Sequence, residues 1–195
     1  GGDHSITLAA IHNMTTLLQD QGKYAEAEQF LHEVLEGRRR VSGDDHGDTL
    51  AAIHNMGVFL SSQGRFEDAE KYSREAFDSY RRMFGDDHPG TLSVIQNLGN
   101  LLQKQGKLAE AEPLLSKALE MQRRRLGNDH PSTLIGINNL GNLLQARGKL
   151  AEAESLSREA LEGQRRILGD DHPKTLTAIG NLGTFLQARG KLAEA

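Results

Sequence analysis

The chain has 195 residues, 37% apolar and 26% charged, with a formal net charge of -4. This mild acidity and an aromatic content of 5% without tryptophan argue against nucleic acid as a partner, since phosphates need cations and unpaired bases need stacking rings. The absence of cysteine excludes disulfides and thiolate metal sites, and it fits a cytoplasmic location. The sequence has no apolar run of about 18 residues, so no membrane span is predicted.

Five histidines follow one another at a constant interval of 42 residues. A constant interval without insertions indicates an array of structural repeats. The histidines are His4, His46, His88, His130 and His172. We predict four complete repeats and a partial fifth, with the ranges 4–45, 46–87, 88–129, 130–171 and 172–195. Because the first residues look like the linker between repeats, we interpret the chain as part of a longer array.

Each repeat begins with a predicted helix, and the repeat 88–129 shows the pattern clearly. Pro89 suits the first turn of a helix, where the missing N–H has no partner to lose. Apolar residues then recur at spacings of three and four, which is typical of one buried helix face. They are Leu92, Ile95, Leu98, Leu101 and Leu102. Gly106 is expected to end this helix in a left-handed conformation.

A second helix is predicted from near Leu108 to Gly127. Three arginines close it, at the end where cations complement the helix dipole. Its apolar face consists of Ala111, Leu114, Leu115, Ala118 and Leu119. Because one hairpin cannot bury both apolar faces alone, we expect neighbouring hairpins to stack. The predicted fold is therefore all-α, a right-handed superhelical solenoid of helix-turn-helix hairpins whose first helices line the concave side.

Glycine recurs in the middle of the predicted first helices, where it costs up to about 1 kcal/mol relative to alanine. The positions are Gly57, Gly99, Gly141 and Gly183. Since glycine has no Cβ, we expect it to let the two helices of a hairpin approach closely. In the first repeat this position is Thr15, so a looser hairpin is predicted there.

Several of these residues resemble a known family signature. Asn97-Leu98-Gly99, followed by Leu102, Gly106, Ala111 and Ala118, resembles the tetratricopeptide repeat (TPR). The pattern HPxTLxxxxNLGxLLxxxGKLAEAE at His130–Glu154 is similar to the 42-residue repeats of kinesin light chains. Similar arrays form the C-terminal part of many NTP-driven sensor proteins of the NB-ARC and NACHT kinds. The resemblance covers the whole chain and implies a TPR solenoid that binds proteins.

One asparagine stands at the same position of every predicted first helix, about opposite the apolar face. These residues are Asn13, Asn55, Asn97, Asn139 and Asn181. Because an amide both donates and accepts hydrogen bonds, a row of them can pair with the backbone of an extended peptide of any sequence. The resemblance to kinesin light chains implies the same role. The alternative is structural, with each asparagine tying one helix to its neighbour.

The positions beside the asparagine row differ from repeat to repeat. The residue before each asparagine and the third residue after it also face the predicted groove. Candidate contacts at these positions are His12, His54, Gln96, Asn138, Asn100 and Asn142. Constant amides with variable neighbours are typical of a selective peptide groove, although drift on a solvated face would give the same variation.

Other recurring residues have simpler explanations than a ligand. Acidic linkers follow the arginines at the end of each second helix, so local ion pairs and the helix dipole account for them. The recurring histidines are expected at the linker and helix start, and a spacing of about 10 Å between stacked helices is too wide for a shared metal ion. Adjacent acidic pairs and the lack of P-loop, nucleophile-elbow or zinc-protease motifs argue against an enzyme.

These observations predict a protein–protein interaction scaffold that binds an extended peptide or a partner protein in its concave groove. No catalytic residue, cofactor or metal is expected, and neither nucleic acid nor membrane is expected as a partner. Two alternatives stay open. One is a structural array that self-assembles end to end. The other is the ligand-sensing C-terminal region of a signalling protein of the NB-ARC or NACHT type.

Overall fold

The computed structural model describes residues 10, 13–188 and 190, and the regular structure within them is helical. Residues 13–20 form one helical segment. The helices that follow are α1 (Tyr24–Ser42), α2 (Gly47–Ser62), α3 (Phe66–Phe84), α4 (Pro89–Lys104), α5 (Leu108–Leu126), α6 (Pro131–Ala146), α7 (Leu150–Leu168) and α8 (Pro173–Ala188). The even-numbered helices have 16 residues and are the first helices, while the odd-numbered ones have 19 and are the second helices. The predicted all-α array of helix-turn-helix hairpins is confirmed.

The apolar faces of these helices are buried within two compact units, Gly1–Val94 and Ile95–Ala195. In the first unit, Leu35, Leu50 and Ile53 share one core and are at most 1% exposed. Helix α2 packs there against both α1 and α3. The apolar face of α2 is therefore covered by the helix before it and the helix after it.

The second unit follows the same rule with different residues. Leu98, Leu115 and Ile137 come from α4, α5 and α6, and each is at most 2% exposed. Helices α5 to α7 each pack against the next helix in the chain. Burying a leucine or isoleucine side chain to this degree stabilises a fold by about 1.5–3 kcal/mol. Stacking of neighbouring hairpins thus supplies the burial that a single hairpin lacks.

The turn inside each repeat closes the first helix with a left-handed glycine. Gly106 has a φ of +76°, a conformation that glycine adopts without strain. Its N–H donates to the carbonyl of Gln103 at 3.0 Å, and the N–H of Lys107 donates to the carbonyl of Leu102 at 2.8 Å. This is the Schellman arrangement, which satisfies two carbonyls of the last turn. The same two bonds end α2 and α6, so each second helix starts in the same orientation.

A histidine and a threonine fix the linker between repeats. His88 Nδ1 accepts a hydrogen bond from the N–H of Gly90 at 3.1 Å and so caps α4. Thr91 is fully buried, and its Oγ1 donates to the carbonyl of Gly85 at 2.7 Å. The same cap is formed by His46, His130 and His172. The predicted role at the helix start is confirmed for these four histidines, and His4 lies outside the described residues.

In two of the hairpins, a mid-helix glycine lets the first helix pack closely against the second helix of the same hairpin. A Cβ built on Gly57 would lie 2.8 Å from Ser73 Oγ and 3.3 Å from Ser73 N, so the backbones of α2 and α3 approach closely. A Cβ on Gly99 would lie 2.5 Å from Cδ2 of Leu115, which is a contact with a side chain instead. The predicted packing role is confirmed at these two glycines. Serine at 73 also has an explanation, because a leucine would not fit where the backbones meet.

Gly141 has more room, and the helix expected to pack against Gly183 lies outside the described residues. A Cβ on Gly141 would have no neighbour nearer than 3.7 Å, and Ser157 Oγ would lie 3.8 Å away. No atom of the described chain lies within 4 Å of the corresponding point on Gly183. The packing prediction therefore does not hold at Gly141, and at Gly183 it stays a prediction. Ser157 replaces the leucine that fills the same space over Gly99, and the smaller side chain leaves the gap open.

Candidate functional site

Each first helix turns one side away from the cores, and we call this side the open face. On α6 it consists of Ile135, Asn139, Asn142 and Ala146, whose spacings of four, three and four residues place them in one row. Ile135 is 52% exposed, whereas Ile137 on the opposite side is fully buried. The corresponding residues are Ala51, Asn55, Val58 and Ser62 on α2, Ser93, Asn97, Asn100 and Lys104 on α4, and Thr177, Asn181 and Thr184 on α8.

The predicted asparagines lie at the centre of these open faces. Asn55, Asn97, Asn139 and Asn181 are all half-buried, while Asn13 is exposed. Asn97 takes part in a polar interaction within the protein. The side chains of the other three half-buried asparagines form no hydrogen bond with any residue that the structure describes.

The variable neighbours of the asparagines have different surroundings. His54 is half-buried, and this burial lowers the pKa of its imidazole. Gln96 is also half-buried, and its Nε2 donates a hydrogen bond to Oε1 of Gln122 at 3.3 Å. Asn138 and Asn100 are half-buried, and Asn142 is exposed. His12 lies outside the described residues. The amide of Gln96 thus contacts the second helix of its own hairpin.

Gln122 is a residue that the sequence pattern did not single out. It comes from the second helix α5, and it is only 3% exposed. Its Oε1 would lie 2.4 Å from a Cβ on Gly136, so it touches α6 as well as Gln96 on α4. Gln122 therefore forms the floor between two first helices of the second unit. Its position could have been noticed in the sequence, because Gln122 follows Ala118 by four residues and so places a polar side chain on the apolar face of the second helix.

Ile135 and its counterparts were also missed, although helical spacing was enough to find them. They stand four residues before each asparagine and therefore on the same side of the helix. The four positions hold Ala51, Ser93, Ile135 and Thr177. These residues differ in size and polarity, so the open face varies at a further position beside the constant amide.

The open faces carry little charge. Helix α6 contains no charged residue, and α8 contains only Lys174. Arg147, which follows α6, forms an ion pair with Glu112, and Lys149 Nζ lies 2.8 Å from the same carboxylate. The hydrogen bond from Lys149, with a further one from Arg147, holds the pKa of Glu112 below its usual value. A cationic clamp for acidic peptides is therefore absent from the described open face of α6.

The arginines at the ends of the second helices pair with acidic groups of the protein. Arg81 Nε lies 2.9 Å from Asp86, and Arg165 Nε lies 2.8 Å from Asp170, both in the following linker. Others reach the neighbouring repeat, as Arg123 does to Glu159 at 2.6 Å. The predicted local pairing is confirmed for these arginines, and the pairs extend across repeats as well.

The histidines His46, His88, His130 and His172 already serve as helix caps. The described part of the chain contains no metal-binding cluster. No group of three or more histidine or acidic side chains there is close enough to hold an ion. None of the described helices is both long and apolar enough to span a bilayer. The polar side chains on the open faces of the first helices thus belong to none of the caps, cores and ion pairs described above, and these faces are the candidate binding surface.

Alternating helices, glycine-closed turns and histidine-capped linkers define a helical-repeat protein. A family model for the tetratricopeptide repeat matches residues 6–82, 48–124, 91–140 and 132–195, nearly the whole chain. The chain therefore belongs to the tetratricopeptide-repeat family. Proteins of this family are in general non-catalytic scaffolds. No protein of curated function matches the sequence.

Solved structures show the same fold. The nearly identical TPR-like repeats assigned to a kinesin light chain of Podosopora anserina superpose with a TM-score of 0.86 at 25% identity, covering 96% of this chain and 89% of that chain. BtubC (BKLC) from P. vanneervenii gives a TM-score of 0.87 at 21% identity, covering 98% and 78%. MamA from Desulfovibrio magneticus RS-1 gives 0.64 at 16% identity, covering 96% and 88%. The fold is that of kinesin-light-chain-like TPR proteins.

Proposed function

We propose that this chain is a protein-interaction scaffold that binds an extended peptide segment of a partner protein on the open faces of its first helices. The observation that carries this proposal is the state of Asn139 and Asn181. Both are half-buried, and neither amide forms a hydrogen bond with a described residue. Half-buried polar groups of this kind need a partner from water or a ligand. The N–H and C=O groups of an extended peptide match both ends of an amide.

The chemistry around these amides supports a neutral segment over a charged one. Helix α6 has no charged side chain, and Ile135 offers an exposed apolar contact four residues before Asn139. An apolar contact beside an amide suits a peptide whose backbone pairs with the asparagine while one side chain rests on the isoleucine. The proposal includes no catalytic step, and it places the protein in the cytoplasm, in keeping with its lack of cysteine.

The proposal is tested with peptides selected from a displayed library of random extended sequences, using the whole chain as the target. The affinity of a selected peptide is then measured by calorimetry for the wild type and for the double variant Asn139→Ala/Asn181→Ala. Each lost pair of amide bonds costs about 1 kcal/mol, so the double variant should bind roughly thirtyfold more weakly. Thermal unfolding should change little, because neither amide bonds to another described residue.

Asn128→Ala is the matched control, since Asn128 is an exposed asparagine in the linker between α5 and α6. It should bind the peptide as tightly as the wild type does. If the double variant unfolds at a much lower temperature but keeps its affinity, the asparagines are structural and the proposal is wrong.

Self-association is a second candidate function, and one feature of the first unit favours it. An apolar groove of about 520 Å³ is lined by Met14, Phe30, Val34 and Val41, among others. Val41 is 82% exposed and belongs to this contiguous apolar lining, and exposed apolar patches are typical of interaction surfaces. A second copy of the chain would bury this groove. Sedimentation at increasing concentration should then show dimers or larger species that Val41→Glu abolishes, and a concentration-independent monomer would exclude this function.

A further inference from the structure

The second-helix position that Gln122 occupies recurs in every repeat, and it holds three different residue types. The residues at this position are Arg38, Tyr80, Gln122 and Gln164. Three of them have visible partners. Arg38 Nη1 lies 3.1 Å from Asp48 Oδ2, and the Tyr80 ring lies so close to Gly90 that a Cβ there would be 2.6 Å away. Gln122 accepts the hydrogen bond from Gln96.

Gln164 is the exception at this position. It is only 7% exposed, and its Oε1 is buried without a hydrogen-bond partner. Its side chain forms no hydrogen bond with any other residue that the structure describes. Buried side-chain amides are nearly always paired, so an open acceptor at this place requires an explanation.

The partner that Gln122 has is missing for Gln164 because of two substitutions between repeats. The counterpart of Gln96 is Asn138, which is one methylene shorter. The glutamine pair already spans 3.3 Å, so the shorter amide does not reach from the same backbone position. The counterpart of Gly136 is Ala178, which carries a methyl group where Gly136 leaves room for a glutamine oxygen.

We propose that Asn138 and Gln164 form a selectivity subsite that takes an uncharged side-chain donor, the carboxamide of an asparagine or glutamine in a bound peptide. This inference rests on the proposed function, because Asn138 of the subsite is next to Asn139 on α6. Because Gln164 Oε1 is buried, the Gln164 side chain rotates toward Asn138 to accept the N–H of the peptide carboxamide. The Asn138 amide donates to the oxygen of the same carboxamide.

The neutrality of the selected side chain follows from its surroundings. Neither α6 nor α8 contains an acidic residue that would compensate a lysine or arginine of the peptide. A cation placed next to a buried amide loses its hydration, and a hydrogen bond to the amide does not offset that cost without an acidic counter-charge. In the preceding repeat the corresponding groups, Gln96 and Gln122, bond to each other, so the acceptor that Gln164 leaves open is already used there.

The test compares peptide libraries selected against the wild-type chain and against two variants of the subsite. Asn138→Gln rebuilds the glutamine pair of the preceding repeat, and Gln164→Met replaces the acceptor by an apolar side chain of similar length. Wild-type selections should show asparagine or glutamine enriched at one peptide position. In both variants this enrichment should fall about tenfold, the effect of one lost buried hydrogen bond, while the rest of the motif persists.

Gln122→Met is the matched control, because it changes the same floor position one repeat earlier and should leave the enrichment as in the wild type. Circular dichroism melting curves establish that each variant is folded. Enrichment that persists in Asn138→Gln and Gln164→Met overturns the subsite, even if Asn138→Gln raises the melting temperature. If no peptide is selected by any form of the chain, the proposed function and the subsite fail together. A peptide that depends on Asn139 but not on Gln164 refutes the subsite alone.

Discussion

The residues of each first helix have one of two roles, packing in the core or lining the open face, and helix geometry decides which. On α6, Ile137 and Leu143 are fully buried and hold the helix in its unit. Asn139 and Asn142 stand on the other side, where the fold makes no use of them. Substitutions on the buried side should therefore act on stability, and those on the open face on binding.

Gly99→Ala is a test of the close contact between the helices of one hairpin. The new Cβ would lie 2.5 Å from Cδ2 and 2.6 Å from Cγ of Leu115, which is itself only 2% exposed. A buried leucine has little room to move, so overpacking should cost about 1–3 kcal/mol, more than the gain of up to about 1 kcal/mol in helix propensity. The free energy of unfolding, measured with urea, should fall.

The control for this prediction is the same change one repeat later. A methyl group on Gly141 would have its nearest neighbour at 3.7 Å, an ordinary contact, so Gly141→Ala should raise the free energy of unfolding by up to about 1 kcal/mol. Adding Leu115→Ser to Gly99→Ala should relieve the clash. Equal effects of the two alanine substitutions would mean that the close contact at Gly99 has no energetic consequence.

His54 makes the stability of the first unit depend on pH. Burial lowers the pKa of its imidazole below the usual 6.5. As the pH falls below that value, the unfolded chain takes up a proton that the folded chain resists. The free energy of unfolding therefore decreases until the pH passes the folded-state pKa. His54→Gln, which copies Gln96 of the next repeat, should remove this part of the decrease.

The measurement for His54 is urea unfolding of the wild type and of His54→Gln on both sides of pH 6.5. The difference between the two proteins isolates His54 from the capping histidines, which both contain. A wild-type curve that stays parallel to that of the variant at every pH would show that His54 titrates alike in the folded and unfolded chains.

At the scale of the elements, a few side chains in each linker set where the next helix begins. Thr91 is completely buried and satisfies the carbonyl of Gly85, so Thr91→Val leaves that carbonyl without its hydroxyl partner. The expected loss is about 1–3 kcal/mol in the free energy of unfolding. Thr133 occupies the same position one repeat later, but its Oγ1 is buried without a partner. Thr133→Val should therefore be neutral or stabilising.

Thermal or urea unfolding of the two valine variants measures this contrast directly. Their side chains have the same volume and the same place in the repeat, so packing changes cancel between them. A loss of stability in Thr133→Val equal to that in Thr91→Val would contradict the role given to the hydroxyl.

The helices and their ends could be predicted from the sequence because their signals are local. Pro89 at a helix start, Gly106 in a left-handed turn and His88 at a cap act within one or two turns of the chain. The asparagine row could be placed on one side of each helix for the same reason, since helical spacing alone decides which residues share a side.

The floor of the candidate site could not be predicted in this way. Gln96 and Gln122 meet across 26 positions of the chain, on two different helices. Which second-helix residue reaches between two first helices depends on the crossing angle and rotation of the packed helices. Periodicity leaves both undetermined. For the same reason, the contrast between the paired Gln122 and the unpaired Gln164 became visible only with the packed structure.

For the molecule as a whole, the charged side chains are concentrated on the second helices. In the second unit, the second helices α5 and α7 are joined by an ion pair between Arg123 and Glu159. The open face of α6 between them in sequence carries amides and no charge. Exposed ion pairs of this kind contribute about 0–1 kcal/mol each, and they keep the charges paired on the second helices. This separation leaves hydrogen bonding as the main means by which a first helix can hold a ligand.

The most direct test of this account is nuclear magnetic resonance of the side-chain amide groups, recorded as a selected peptide is titrated into the whole isotope-labelled chain. The NH₂ signals of Asn139 and Asn181 should shift and saturate together with the peptide, while the NH₂ signal of Asn128 in the linker stays in place. Saturable binding that moves Asn128 or second-helix signals and leaves Asn139 and Asn181 unchanged would contradict the claim that amides of the first helices hold the ligand.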